Sequence, residues 1–134
     1  MAKVVRQVIP TDLKAARRVA EDIMRQVERN GYGPEECFAI RLAVEEAIIN
    51  AVKHGNKFDP GKSLTVSAEV GDRLTAITIA DEGQGFDPVT VPDPTADENL
   101  EKPCGRGIML IESYMNKVHW NKRGNQVEMV KRNE

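Results

Sequence analysis

The sequence has few of the residues that build covalent or metal cross-links. Its two cysteines, Cys37 and Cys104, lie far apart and form no Cys-x-x-Cys pair, so we expect two unlinked thiols rather than a disulfide framework. Its two histidines, His54 and His119, have no second ligand at metal spacing, which argues against a zinc site.

The chain also lacks long apolar runs and a strong charge imbalance. No run approaches the ~18 apolar residues of a membrane helix, and the N-terminus shows no signal-peptide pattern, so we expect no membrane contact and a cytoplasmic location. The formal net charge of −2 gives no reason to expect a nucleic-acid partner. With 40% hydrophobic and 30% charged residues, the 134 positions predict one globular domain spanning residues 1–134.

A helical run that is apolar on nearly every side, residues 42–55, dominates the middle of the chain. Such a helix is buried, yet Glu45, Glu46 and Asn50 interrupt it. Because burying an unpaired carboxylate or amide is costly, at least one of them should face a cavity or a ligand. Glu46 and Asn50 share a face, and Lys53 follows one turn later. Glu46 offers a carboxylate that could act as a base, Asn50 an amide oxygen for a hard cation, and Lys53 a cation for phosphate. The alternative is that these polar side chains only solvate one edge of the helix.

The segments before this run predict a strand and a helix. Residues 3–9 are β-branched and partly alternating, which is typical of a strand. Thr11 or Asp12 can cap a helix whose apolar residues recur at helical spacing up to Asn30. Its outer face is basic, which fits a solvated surface or a docking place for an acidic partner. The basic residues are Lys14, Arg17, Arg18 and Arg25.

The second half predicts a hairpin and a long loop. Residues 63–70 and 73–80 alternate in polarity and are joined by Gly71-Asp72, as in a β-hairpin. The loop 87–104 has four prolines and no periodicity, and so long a loop in a compact domain is usually functional. A third helix at 108–114 and strands at 118–122 and 126–131 are predicted after it.

Two glycine-containing segments carry further chemistry. Asp81 ends a predicted strand, and Gly83 and Gly85 follow it, so a flat ligand could approach the backbone closely. A carboxylate in that place can accept a hydrogen bond from an exocyclic amine such as that of adenine. Later, Gly105-Arg106-Gly107 opens the third predicted helix, and a helix N-terminus suits phosphate.

These segments, taken in this order, resemble the Bergerat-fold (GHKL) ATP-binding superfamily. Glu46–Asn50 is similar to its N box, residues 81–86 to its first glycine box and residues 105–107 to its second. The loop 87–104 would then be the ATP lid. Small bacterial anti-sigma-factor serine/threonine kinases share the string Glu-Ala-x-x-Asn-Ala-x-x-His-Gly, present at 46–55, and a closing Gly-x-x-Val-x-Met-x-Lys, present at 124–131.

The resemblance implies a role for each matching residue. Glu46 would orient or deprotonate the attacking hydroxyl, and Asn50 would hold Mg²⁺ that bridges the phosphates of ATP. Asp81 would bind the adenine amine. The other implied nucleotide-binding residues are Lys53, Gly83, Gly85, Gly105, Arg106 and Gly107. One departure is Asn125-Gln126, where the family often has a threonine near the adenine, so polar contact to the base is expected to differ.

The expected fold is a two-layer α/β sandwich, in which three helices cover one face of a mixed, mainly antiparallel sheet of about five strands. The expected function is that of an ATP-dependent protein serine/threonine kinase. It would phosphorylate a small anti-sigma-factor antagonist, bind a sigma factor or similar regulator, and form a homodimer. The alternative is a non-catalytic, nucleotide-gated protein-binding module.

Overall fold

A computed structural model describes residues 3–83, 111–121 and 125–133. These residues form a five-stranded sheet with helices packed on one face, and residues 111–114 are the described part of the third predicted helix. No helix within these ranges is long and apolar enough to cross a membrane. The elements are β1 (Lys3–Pro10), α1 (Leu13–Arg29), α2 (Pro34–Asn50), β2 (Ser63–Val70), β3 (Leu74–Ala80), β4 (Lys117–Trp120) and β5 (Gln126–Arg132).

The strand order is β1-β2-β3-β5-β4, and every pairing among the described strands is antiparallel. The parallel component of the predicted mixed sheet is therefore not found among them. The reason lies in the connection between β1 and β2. Two helices intervene and carry the chain back to the end of the sheet where β1 finished, so that Pro10 pairs with Ser63 and β2 runs in the opposite direction.

The core lies between the helices and one face of the sheet. In β2, the alternation predicted from the sequence buries every second residue from Leu64 to Val70. Helix α1 begins at Asp12, whose side chain accepts a hydrogen bond from the N–H of Lys14 at 3.1 Å, as an N-cap should. Its buried stripe follows the predicted helical spacing: Ala16, Val19, Ala20, Ile23, Met24 and Val27.

The end of α2 differs from the prediction. An uninterrupted α-helix was expected up to Gly55, but the α-helix ends at Asn50 and residues Ala51–Gly55 form one turn of π-helix. The N–H of Asn56 donates to the carbonyl oxygen of Ala51 at 2.8 Å, five residues back, and this bond defines the wider turn. A π-turn contains one residue more than an α-helical turn, so the side chains after Asn50 are shifted around the helix axis from the positions that a regular α-helix would give them.

Four segments meet at one end of the sheet. Ala80, the last residue of β3, pairs with Gln126 at the start of β5, and Thr65 near the start of β2 pairs with Ala80. The end of α2 reaches the same place, because Asn56 contacts Ser63. The smaller difference at β4, predicted at 118–122 and observed at Lys117–Trp120, lies in the outermost strand.

Candidate functional site: the Asp81 turn

The turn formed by residues 81–83, here called the Asp81 turn, directly follows β3. The N–H of Asp81 donates to the carbonyl oxygen of Asn125 at 2.9 Å, which continues the pairing of β3 with β5. The side chain bends back so that Asp81 Oδ1 accepts from the N–H of Gly83 at 2.7 Å. This local bond is the one that Asp side chains make in tight turns, and it sets the direction of the carboxylate. Asp81 is half-buried.

Two glycines allow the π-turn that follows α2 to lie against this turn. A Cβ added to Gly55 would stand within 2.8 Å of all three terminal atoms of the Asp81 carboxyl group. A Cβ added to Gly83 would overlap the carbonyl oxygen of Gly55. A side chain at position 83 would overlap the backbone of Gly55, and one at position 55 would displace the Asp81 carboxyl group, so glycine is favoured at both positions by close approach rather than by a positive φ. The structure thus brings the predicted residues Asp81 and Gly83 together with Gly55, for which the sequence indicated a helix end and the last position of the string at 46–55 but no role in the site.

Two further residues hold the Asp81 turn: Asn125, noted in the sequence only as a departure from the family pattern, and Asn56, which was not singled out from the sequence. Asn125 Nδ2 donates to the carbonyl oxygen of Asp81 at 3.4 Å, and the amides of Asn121 and Asn125 bond to each other at 2.8 Å. On the other side, Asn56 Oδ1 accepts from the N–H of Glu82 at 2.8 Å. The departure from threonine at 125 therefore places an amide against the backbone of the turn. The available signal for Asn56 was an amide directly after a helix-ending glycine.

The side chain of Glu82 is fixed on the outside of the turn. Glu82 Oε1 accepts from the hydroxyl of Ser63 at 2.6 Å and from its N–H at 2.8 Å. These two bonds, that of the hydroxyl first, lower the pKa of Glu82 from its ordinary value of 4.5, because they favour the charged carboxylate. The start of β2 is thereby tied to the Asp81 turn.

Glu46 and Asn50 lie on α2, one turn apart and just before the π-turn, and both are partly buried. Their neighbour Glu45 is exposed, and its Oε1 lies 3.7 Å from Arg41 Nη1. Among the described residues no group of three or more His, Cys, Asp or Glu side chains could hold a metal ion. An Asn50 amide oxygen suits Mg²⁺ that is held mainly by nucleotide phosphates, which is a common arrangement for this ion.

Lys53 lies on another side of the helix. It is exposed and lines a groove of about 510 Å³ between α1 and α2, together with Glu45 and Ile49. Its assignment to phosphate binding stays a prediction. Beside it, burial and then the charge of Lys53 lower the pKa of His54. The remaining groove-lining residues are Leu13, Ala16, Arg17, Ala20, Glu21 and Ile48.

Several predicted residues lie outside the described part of the chain. They are Gly85, the loop 87–104, and Gly105, Arg106 and Gly107.

The family model of the histidine kinase-like ATPase domain matches residues 8–131. The serine-protein kinase RsbW of Bacillus subtilis (strain 168) is 34% identical over 113 residues, which are 77% of this chain and 69% of that protein. The anti-sigma F factors of Geobacillus thermodenitrificans (strain NG80-2) and Shouchella clausii (strain KSM-K16) are 32% and 35% identical. Those matches cover 63% and 60% of this chain, and they span only 59% and 56% of the two anti-sigma F factors.

Among solved structures, the fold is similar to that of the RsbU and RsbW domains of Rv1364c from Mycobacterium tuberculosis. The TM-score is 0.62 at 15% sequence identity, with 98% of this chain and 32% of that chain covered. At this identity the likeness concerns the fold alone, and it agrees with the two-layer α/β architecture. The GHKL resemblance seen in the motifs is confirmed: the chain belongs to the family of histidine kinase-like ATPase domains.

Proposed function

We propose that this chain is an ATP-dependent protein serine/threonine kinase of the anti-sigma-factor type. It would transfer a phosphoryl group from Mg-ATP to a hydroxyl of a small anti-sigma-factor antagonist, and would bind a sigma factor or similar regulator. The family and the relatives named as a serine-protein kinase and anti-sigma F factors support this proposal. The observation that carries it is the close packing of the Asp81 turn against Gly55, at the end of the helix that bears Glu46 and Asn50.

The Asp81 turn fits the adenine end of a nucleotide. Asp81 is held by its own bond to Gly83 and by the strand pairing to Asn125, so its carboxylate is an acceptor in a fixed direction. An acceptor fixed before binding loses little entropy when it meets an exocyclic amine, which favours affinity and selectivity. The glycines at 55 and 83 keep side chains away from this place.

Asn50 and Glu46 would act at the phosphate end. Asn50 would offer its amide oxygen to Mg²⁺, and that ion would neutralise phosphate charge when bound. The assignment of the phosphates to Gly105, Arg106 and Gly107 rests on the sequence alone, that is, on the predicted helix start and on the resemblance. Phosphoryl transfer needs mainly positioning and charge neutralisation, so few catalytic side chains are required.

Glu46 would be the general base. As the serine or threonine oxygen of the antagonist bonds to the terminal phosphorus, its proton would pass to a Glu46 carboxylate oxygen, and the bond to the ADP leaving group would break. Glu46 is partly buried on a helix whose next turn holds the proposed metal ligand. Its carboxylate would therefore lie near the attacking hydroxyl and would not contact the adenine. A positioned carboxylate of this kind contributes roughly 10²–10⁴-fold to rate.

Phosphate incorporation into an antagonist encoded beside this chain's gene tests the proposal. Glu46→Gln should bind Mg-ATP nearly as the parent does but lose roughly 10²–10⁴-fold in transfer. The matched control is Glu45→Gln, because Glu45 is the adjacent, exposed carboxylate on the same helix. This control should leave both binding and transfer unchanged.

Two outcomes would contradict the proposal in different ways. If the parent binds Mg-ATP but transfers phosphate to no such antagonist, the chain is a nucleotide-gated binding module. If Glu46→Gln transfers as fast as the parent, another residue performs the proton transfer.

We further propose a domain organisation, a location and an oligomeric state for the chain. We expect residues 1–134 to act as one domain in the cytoplasm and to pair as a homodimer. Val4 and Val8 are 61% and 65% exposed on the face of β1 opposite the buried Ile9, which leaves apolar surface away from the helices. Covering such surface would favour self-association.

A further inference from the structure

Asn56 is one of the few polar side chains in the core. Its exposed fraction is 1%, and among the described residues only Thr75 is another buried polar side chain. It follows Gly55 directly and stands where α2, β2 and the Asp81 turn meet. A buried amide is costly unless its hydrogen bonds are satisfied, so the partners of Asn56 show what the amide holds in place.

The hydrogen-bonding capacity of Asn56 is almost fully used. Nδ2 donates to Thr11 Oγ1 at 3.1 Å and to the carbonyl oxygen of Ser63 at 3.0 Å, while Oδ1 accepts from the N–H of Glu82 at 2.8 Å. Its backbone N–H donates to Ala51, and its carbonyl oxygen accepts from Asp59 at 3.0 Å. One side chain therefore ties the segment after β1, the start of β2 and the Asp81 turn to the end of α2.

The backbone beyond Asn56 is strained. Lys57 and Phe58 have φ values of 52° and 58°, in the left-handed region that side chains disfavour. Two such residues in succession persist only where the surroundings fix them, and such strain is concentrated at functional sites. The fixing contacts here are the Asn56 network and a bond from the N–H of Phe58 to Val52 at 2.9 Å.

The bond to Glu82 is the part that bears on nucleotide recognition. Glu82 follows Asp81, so the position of its N–H determines how the Asp81 backbone leaves β3. Gly55, next to Asn56, packs against the Asp81 carboxyl group itself. If the bond were removed, the turn could withdraw from Gly55 and carry the carboxylate with it. A recognition group must be held within about 0.5 Å of its productive place, so even a small withdrawal matters.

We propose that Asn56 is a positioning residue for adenine recognition, which fixes the Asp81 turn against the end of α2. This inference rests on the proposed function, because it assumes that Asp81 accepts a hydrogen bond from adenine. Asn56 itself contacts no part of the nucleotide. Its effect on binding passes through the N–H of Glu82 and the backbone of Asp81.

The test compares Asn56→Ala with Thr75→Val in the full chain. Thr75 is also buried, and it donates to Tyr32 Oη at 2.9 Å near the opposite end of β3, so Thr75→Val removes a buried hydrogen bond without touching the Asp81 turn. Urea denaturation would measure the stability of each variant. Calorimetry without urea, under conditions in which each variant is folded, would measure the dissociation constants of Mg-ATP and Mg-GTP.

Asn56→Ala should weaken Mg-ATP binding by about 3- to 10-fold, the value of one hydrogen bond, and should lower the ATP-over-GTP preference by a similar factor. Thr75→Val should be less stable than the parent but should keep the parent's dissociation constants for Mg-ATP and Mg-GTP. If Asn56→Ala remains folded and keeps the parent's ATP affinity and preference, the role of Asn56 is purely structural and the inference is overturned. If the parent binds no adenine nucleotide, the proposed function fails and the inference fails with it.

A measurement on the parent covers the case in which Asn56→Ala does not fold. The amide hydrogen of Glu82 should exchange slowly with solvent both without nucleotide and with it, because Asn56 Oδ1 holds it in both states. Fast exchange without nucleotide would mean that the turn is not fixed before binding, and would overturn the inference.

Discussion

Gly55→Ala would test the close packing on which the account of the site depends. The new Cβ would stand within 2.8 Å of Asp81 Oδ1, Oδ2 and Cγ, far inside van der Waals contact. Because no positive φ is required at Gly55, the whole cost should come from this overlap rather than from backbone strain. Overpacking of this kind costs about 1–3 kcal/mol. The Asp81 carboxylate should also be displaced, so Mg-ATP affinity should fall.

A double-mutant cycle isolates the contact. Asp81→Ala removes all three overlapping atoms, so Gly55→Ala should cost much less in that background, with a coupling energy of about 0.5–3 kcal/mol in urea denaturation. Gly61→Ala is the control, because its Cβ would meet only Asp59 Oδ1 at 3.3 Å in an exposed loop. That variant should stay within about 0.5 kcal/mol of the parent. An equal cost of Gly55→Ala with and without the Asp81 carboxylate would show that the cost does not arise from this contact.

Two other predictions concern pH dependence and assembly. The lowered pKa of Glu82 means that its bonds from Ser63 add stability above about pH 4.5, and that this stability is lost as the pH falls through the folded-state pKa. The stability difference between the parent and Ser63→Ala should therefore be larger at pH 7 than at pH 3; a difference independent of pH would contradict it. Light scattering at micromolar concentration should give about twice 14.9 kDa, whereas a mass of 14.9 kDa throughout would contradict the homodimer.

The sequence was a sufficient guide where local chemistry decides the structure. The alternation in β2 and the helical spacing from Ala16 to Val27 predicted which side chains are buried, since both patterns follow from backbone geometry. The N-cap of α1 was narrowed to Thr11 or Asp12, because few residue types cap helices, and the structure has Asp12 in that place. The position of Asp81 at the end of a strand followed from the same local signals.

The π-turn could not be predicted in this way. Ala51 and Val52 are buried and apolar, so they continue the pattern of the preceding helix. The wider turn is defined by the hydrogen bond from the N–H of Asn56 to Ala51. The position of Asn56 is in turn fixed by side-chain bonds to Ser63 and Glu82, which lie in later segments of the chain. An amide after a helix-ending glycine is also typical of a loop, so this local signal alone does not show that Asn56 is buried.

The role of Gly55 was missed for a similar reason. Its position after His54 is sufficient to explain it as a helix stop, and only the packing of the Asp81 turn shows that a side chain would not fit. Asn125 was noted as a departure from the family pattern, but its bond to the Asp81 carbonyl depends on the pairing of β3 with β5. These contacts form between segments that are distant in the sequence, so no periodic pattern in the sequence predicts them.

Titration calorimetry of Mg-ATP into the parent, Asp81→Asn and Asp72→Asn measures whether the Asp81 carboxylate recognises adenine. The parent should bind with a micromolar dissociation constant, about −7 to −8 kcal/mol. Asp81→Asn should bind adenine nucleotides more weakly, because an amide that both donates and accepts replaces a carboxylate that only accepts. Asp72→Asn, in the exposed turn between β2 and β3, should bind as the parent does. Absence of binding by the parent, or equal affinity of Asp81→Asn and the parent, would contradict the account.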